Sequence, residues 1–467
     1  MKLKLAILIL LFNFMALFAQ DNAGIVIYAD SVTATRASNP IGINLNYLRD
    51  PDAVRPAGSV KLNDALHNFN GKWLRYPGGR KSVFYRFAKP PYTKPDPQVS
   101  DYYRQEIKED IMDFDEFMNV VKVTKTNPFV VVAYNPEEIV NGNTTLQEYI
   151  DHAKGWVAYA KKHKNKVVYW EIGNENWGHF KGYTWVQVIK DVLAIAKAMK
   201  EIDATIKVGT SFNSNEQLIE ILDIAGSTLD FLTISNYYPS NDRWNGQDYS
   251  FYESGGITNT IRFADTYTKE LIKRNLSTEL IVAETNAKQW AQPWQDGTSI
   301  ANGVWDDVND IKHAIVCFDI CTDINSALYI PVGMFWNTSW FGHENIAFNF
   351  LDEKNHFRPT ALAVKLWNDH WQPNILKVSN TADTSLLVYA LKSRDGKLSL
   401  FIVNKTKNTV ESPVVLNAQK KYTIKSIEQL TDGAVIENLS GSKLPIHDNT
   451  ISRISFKPYS IMIILFE

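Results

Sequence analysis

Eight short runs rich in Val and Ile, separated by amphipathic stretches, constrain the fold of this 467-residue chain more than any other feature. They cover residues 41–47, 72–76, 129–134, 167–172, 206–210, 231–236, 280–284 and 332–336. Most are apolar without alternation, as expected for parallel strands covered on both faces. Between them, residues 146–162, 185–202, 217–225, 261–272 and 311–320 repeat apolar side chains at helical spacing. Eight strands alternating with helices predict the α/β class and a (β/α)8 TIM barrel. A doubly wound sheet would bring a G-x-G-x-x-G loop after a strand, and the chain has none.

The pattern changes after about residue 371. Segments 385–391, 397–404, 421–430 and 451–466 are strand-like, with turns at Asp395-Gly396 and Asp432-Gly433 and no long helix between them. They predict a C-terminal antiparallel β-sandwich. The expected organisation is a signal peptide over 1–20, a strand segment over 21–37 that joins the sandwich, the barrel over 38–372 and the sandwich over 373–467. Residues 1–20 carry Lys2 and Lys4 before an apolar run that Asn13 interrupts, and end at Ala19-Gln20. That arrangement predicts a cleaved secretory signal and a secreted or periplasmic protein with no membrane span in the mature chain.

A formal net charge of −2 leaves no basic surplus for phosphates, which excludes nucleic acid as a partner. The two cysteines, Cys317 and Cys321, fall four apart in a helical stretch and are expected as buried free thiols. No His-Glu-x-x-His or Gly-x-Ser-x-Gly occurs, so no metal, cofactor or serine nucleophile is expected.

Two acids stand out because each ends a barrel strand, where barrels carry their reactive groups. Glu175 closes Trp170-Glu171-Ile172-Gly173-Asn174-Glu175 on strand four, and Glu284 follows Val282-Ala283 on strand seven. Asn174 and Glu175 are adjacent, so the strand end must bulge or turn for both to face the barrel mouth. Carboxyls about 5 Å apart there suit double displacement with retention.

These blocks resemble clan A retaining glycoside hydrolases. The Leu74-Arg75-Tyr76-Pro77-Gly78-Gly79 segment makes family 51, the α-L-arabinofuranosidases, the most similar member. The resemblance implies Glu175 as acid/base, Glu284 as nucleophile and Asn174 on the sugar 2-hydroxyl, with a carbohydrate as partner. Family 51 shows Asp-Glu-Trp around its nucleophile and His on strand six. Here Ala283-Glu284-Thr285 and Asn236 stand in those places. Families 39, 30 and 79 share the architecture, so xylosidase, glucuronidase and endo-glycanase activities stay open, as does a non-catalytic carbohydrate-binding protein.

Supporting residues carry two readings each. Arg75 holds Glu284 ionised or forms a salt bridge at the barrel bottom. Tyr237 or Tyr238 donates to the nucleophile. Trp336 floors the sugar site, and Trp177, Trp290 and Trp340 line subsites or simply pack. Glu171 shares the parity of Glu175 and is read as structural. Burial and its neighbour are expected to raise the pKa of Glu175, and Arg75 with a tyrosine donor to lower that of Glu284. Long aromatic loops after strands six, seven and eight predict a pocket and exo action.

Overall fold

The computed structural model describes residues 24–99, 111–177, 182–238, 249, 252–253, 261–287, 309–339, 348–381, 385–433, 435–439 and 444–467. Two compact units emerge. One holds residues 36–373 with 430–436, and the other holds the N-terminal residues to Thr35, 374–429 and 437–467.

The larger unit is a closed barrel of eight parallel strands. These are β2 (Ile41–Asn44), β3 (Trp73–Tyr76), β4 (Asn127–Val132), β5 (Tyr169–Ile172), β6 (Lys207–Ser211), β7 (Phe231–Ser235), β8 (Glu279–Thr285) and β9 (Gly333–Phe335). Each falls on one of the eight apolar runs. The helices Leu146–Lys162 and Trp185–Ile202 begin at Thr145 and Thr184, which form capping boxes with Glu148 and Gln187. Cys317 and Cys321 are free and buried within the helix Ile311–Ser326. Among the described residues no helix is long and apolar enough to cross a membrane.

Strand parity stacks the barrel interior in layers. Trp73, Tyr169 and Phe231 meet Phe129, Ile281 and Met334 in an apolar plug. Two residues further along three of these strands stand Arg75, Glu171 and Thr233, all fully or almost fully buried. One more step along β7 is Ser235, at the mouth. The chain therefore passes from an apolar floor to a polar rim within about four residues per strand.

In the second unit, β1 (Ile25–Thr35) joins eight later strands. These are β10 (Asn374–Asn380), β11 (Leu386–Lys392), β12 (Leu398–Asn404), β13 (Val410–Asn417), β14 (Ile424–Leu430), β15 (Ile436–Asn438), β16 (Thr450–Phe456) and β17 (Ser460–Phe466). Their order is β15-β14-β17-β12-β11-β10-β1-β13-β16, curled around one apolar core in a sandwich-like unit. The pairs are mostly antiparallel, with β1 running parallel to β13. Segment 451–466, expected as one strand, is two. The chain breaks at Lys457-Pro458-Tyr459, where Tyr459 has φ 44°, so β16 lies at one edge and β17 pairs with β12.

Candidate active site

One guanidinium organises the mouth of the barrel. Arg75 is fully buried, and its five N–H groups are all engaged. Nε and Nη2 grip Glu171 Oε2 at 2.9 and 2.8 Å. Nη1 donates to Asn44 Oδ1 at 2.8 Å and to Glu284 Oε1 at 2.9 Å, and Nη2 donates to Asn174 Oδ1 at 2.7 Å. Arg75 thus pairs with the strand-seven acid and also with Glu171, and this second ion pair lies above the apolar plug at the mouth, not at the barrel bottom where the salt-bridge reading put it. Glu171 is held on its other oxygen by the Thr233 hydroxyl at 2.6 Å.

Glu284 reaches this cluster through a bulge. Ile234 pairs with Val282 but Ser235 pairs with Glu284, so strand β8 carries one extra residue at Ala283. Regular pleating from Ile281 would turn Ala283 inward and Glu284 away. The extra residue turns the carboxylate into the mouth, where Tyr237 Oη donates to Oε2 at 3.0 Å. Burial and the two nearby carboxylates raise the Tyr237 pKa well above its ordinary value, so it remains a donor. Tyr238, the other candidate, is buried against Tyr252.

Strand four ends in a tight turn. Gly173 has φ 67° and Glu175 has φ 51°. At Gly173 a Cβ would fall 2.3 Å from the Asn176 side chain, which braces the turn through Ile172 O at 2.9 Å. This turn lets the adjacent Asn174 and Glu175 both serve the mouth, and the left-handed backbone at a non-glycine residue is strain of the kind found at functional sites. Glu175 Oε1 accepts from Ser235 Oγ at 2.7 Å. The Nδ2 of Asn174 is buried and has no hydrogen-bond partner among the described residues.

Trp336 is buried over Gly79, where a Cβ would lie 1.9 Å from its ring, and the Lys81 ammonium stands 5.1 Å from that ring. Trp177 lines a pocket of about 280 Å³ together with Asn174, Glu175, Arg80 and Glu137. Trp290, Trp340 and the loops 239–248, 288–308 and 340–347 lie outside the described residues, and with them most of the expected aromatic wall. Asn44, Thr233 and Ser235 belong to the cluster and were not singled out in the sequence. Their signal is positional: Thr233 and Ser235 share a strand face with Phe231 of the plug, and Asn44 stands beside Arg75 in the barrel register.

Both acids have raised pKa values. For Glu175 the main cause is burial, opposed by Ser235 and Arg75. For Glu284 burial and the charge of Glu175 outweigh Arg75 and Tyr237, and the carboxyl is pushed up to about 7. The expectation that Glu284 would be lowered is therefore wrong. Counting donors in a sequence misses the water stripped from a carboxylate inside the barrel.

No family model matches the chain, and no curated protein matches it in sequence. Solved structures match its fold. The α-L-arabinofuranosidase from Thermotoga maritima in its arabinose complex gives a TM-score of 0.64 at 17% identity, over 95% of this chain and 99% of that one. A family 51 α-L-arabinofuranosidase from Bifidobacterium longum gives 0.68 at 14%, over 95% and 99%. A family 44 xyloglucanase from Paenibacillus polymyxa gives 0.61 at 13%, over 95% and 98%. The class this defines is a parallel barrel followed by a β-rich unit, as found in glycoside hydrolases. Within it, the chain has the fold of the family 51 arabinofuranosidases.

Proposed function

We propose that the protein is a retaining glycoside hydrolase, with Glu284 as nucleophile and Glu175 as acid/base. The observation that carries this reading is the single Arg75 guanidinium that joins Glu284 to Asn174, the neighbour of Glu175, at one end of the barrel. The charge of Glu175 acts on Glu284, and two carboxyls that interact in this way lose their protons in two steps that belong to the pair. The first negative charge rests on Glu284, because a cation and a phenol donate to it while Glu175 receives one serine hydroxyl. The resting pair is then an ionised nucleophile beside a protonated acid, as double displacement requires.

In the first step a Glu284 oxygen forms a bond to the anomeric carbon. The glycosidic C–O bond breaks, and the Glu175 proton passes to the departing oxygen. In the second step Glu175, now a carboxylate, takes a proton from water. The water oxygen bonds to the anomeric carbon, and the Glu284 carboxylate leaves. The free Nδ2 of Asn174 is placed to donate to a hydroxyl of the bound sugar.

Terminal α-L-arabinofuranosyl groups are the first substrate to test, and an exo-acting arabinofuranosidase is the specific form of the proposal. A screen of aryl glycosides, arabinofuranoside first, then xyloside and glucuronide, is expected to find one that is turned over. Failure of every aryl glycoside and oligosaccharide would favour a carbohydrate-binding protein instead.

The active enzyme should give a bell-shaped dependence of kcat/KM on pH, rising as Glu284 ionises and falling as Glu175 loses its proton. Glu175→Gln removes the acid and leaves a neutral side chain, as Glu175 is when Glu284 ionises. The alkaline limb should vanish and the acidic limb should stay close to its wild-type position. With an aglycone that needs no protonation, the variant keeps enough rate to be followed. An unchanged profile would reject the assigned roles.

A further inference from the structure

Glu175 opens on its far side into the pocket of about 280 Å³, which strand ends two, three and four build. Arg80 comes from the turn after strand two, Glu137 from the start of the short helix Pro136–Val140, and Trp177 from just beyond Glu175. Neither Glu284 nor Tyr237 lines it. If Glu175 protonates the departing oxygen, the group that departs must stand on this side. The inference therefore rests on the glycosidase reading.

We propose that this pocket is the leaving-group subsite and that it is built for one uncharged sugar, whose hydroxyls are held by Arg80 and Glu137. Both side chains are exposed, and among the described residues neither has an ion-pair or hydrogen-bond partner. They do not pair with each other. Arg80 can only donate and an ionised Glu137 can only accept, while each sugar hydroxyl does both. A pair of hydroxyls on one ring matches that set.

Charge decides against an acidic sugar. Arg80 and Glu137 cancel, and Glu175 is neutral when it is ready to act. A uronate would gain from Arg80 but meet the Glu137 carboxylate in the same pocket. Trp177 and Phe84 supply apolar surface for the C–H face of a ring. The volume of about 280 Å³ falls just below the range for small-molecule sites, which begins at about 300 Å³. That suits a single monosaccharide unit rather than a run of several.

The test compares two substrates with the same terminal sugar, one with an aryl leaving group and one with a neutral oligosaccharide. The readout is the ratio of kcat/KM for oligosaccharide over aryl glycoside, in the wild type, Arg80→Ala and Glu137→Ala. A lost charge-assisted hydrogen bond should lower this ratio by about tenfold in each variant. Both side chains are exposed, and a melting curve checks that the variants fold. An unchanged ratio in both variants overturns the subsite while leaving the glycosidase reading intact. A wild type that prefers a uronate-bearing leaving group, with the preference lost in Arg80→Ala, overturns the uncharged sugar. A wild type that cleaves no such pair, with any terminal sugar of the screen, overturns the glycosidase reading and the subsite with it.

Discussion

Glu284→Gln is expected to lower turnover of the best aryl glycoside on the order of 10⁴- to 10⁶-fold, the range seen when a residue of a nucleophilic catalytic unit is removed. The amide oxygen can still accept from Arg75, and the Tyr237 hydroxyl can reverse to accept from the amide nitrogen. The barrel should therefore fold as before, and the loss should fall on chemistry. Glu284→Gly should be equally inactive in buffer but regain measurable turnover in azide. The small anion occupies the vacated space, attacks the anomeric carbon and leaves a glycosyl azide of opposite configuration. A loss below about tenfold in Glu284→Gln would place the nucleophile elsewhere.

Arg75→Met should be the most damaging substitution for stability among the cluster residues. It leaves Glu171 and Glu284 buried without their cation, each keeping one hydroxyl donor, and frees the Asn174 carbonyl. Removing one partner of a buried ion pair costs about 3–5 kcal/mol. Denaturant unfolding of the variant should show a loss of that size. Its acidic limb should also move up in pH, because Glu284, already pushed to about 7 by burial, loses the cation that favoured its charge. Arg75→Lys should recover part of the stability and little of the activity, since an ammonium cannot hold both carboxylates and two side-chain amide oxygens in one plane. A change under about 1 kcal/mol for Arg75→Met would mean that water replaces the guanidinium.

The barrel was legible because its strands are buried on both faces, and burial on both faces leaves uninterrupted apolar runs such as Phe129-Val130-Val131-Val132. The helices Leu146–Lys162 and Trp185–Ile202 were legible because their apolar side chains recur at helical spacing. Strands of the second unit were harder to read. β10 carries Lys377 and Ser379, and β13 carries Glu411 and Pro413, so both look like loops in sequence. At the mouth, Glu175 and Glu284 could be named because each is an acid that ends an apolar strand. What could not be read was how they turn inward. The bulge at Ala283 has no composition signature, and the register beyond Ser235 decides between Tyr237 and Tyr238. Asn44 and Ser235 are ordinary strand residues until the barrel closes and brings them to Arg75 and Glu175.

The most direct test of the central claim is the configuration of the first sugar released. Hydrolysis of the best aryl glycoside, followed by proton NMR faster than mutarotation, reads it without any variant. Attack by Glu284 followed by attack by water inverts the anomeric carbon twice, so the first product should have the configuration of the substrate. A first product of opposite configuration would mean a single displacement by water, and Glu284 would not be the nucleophile.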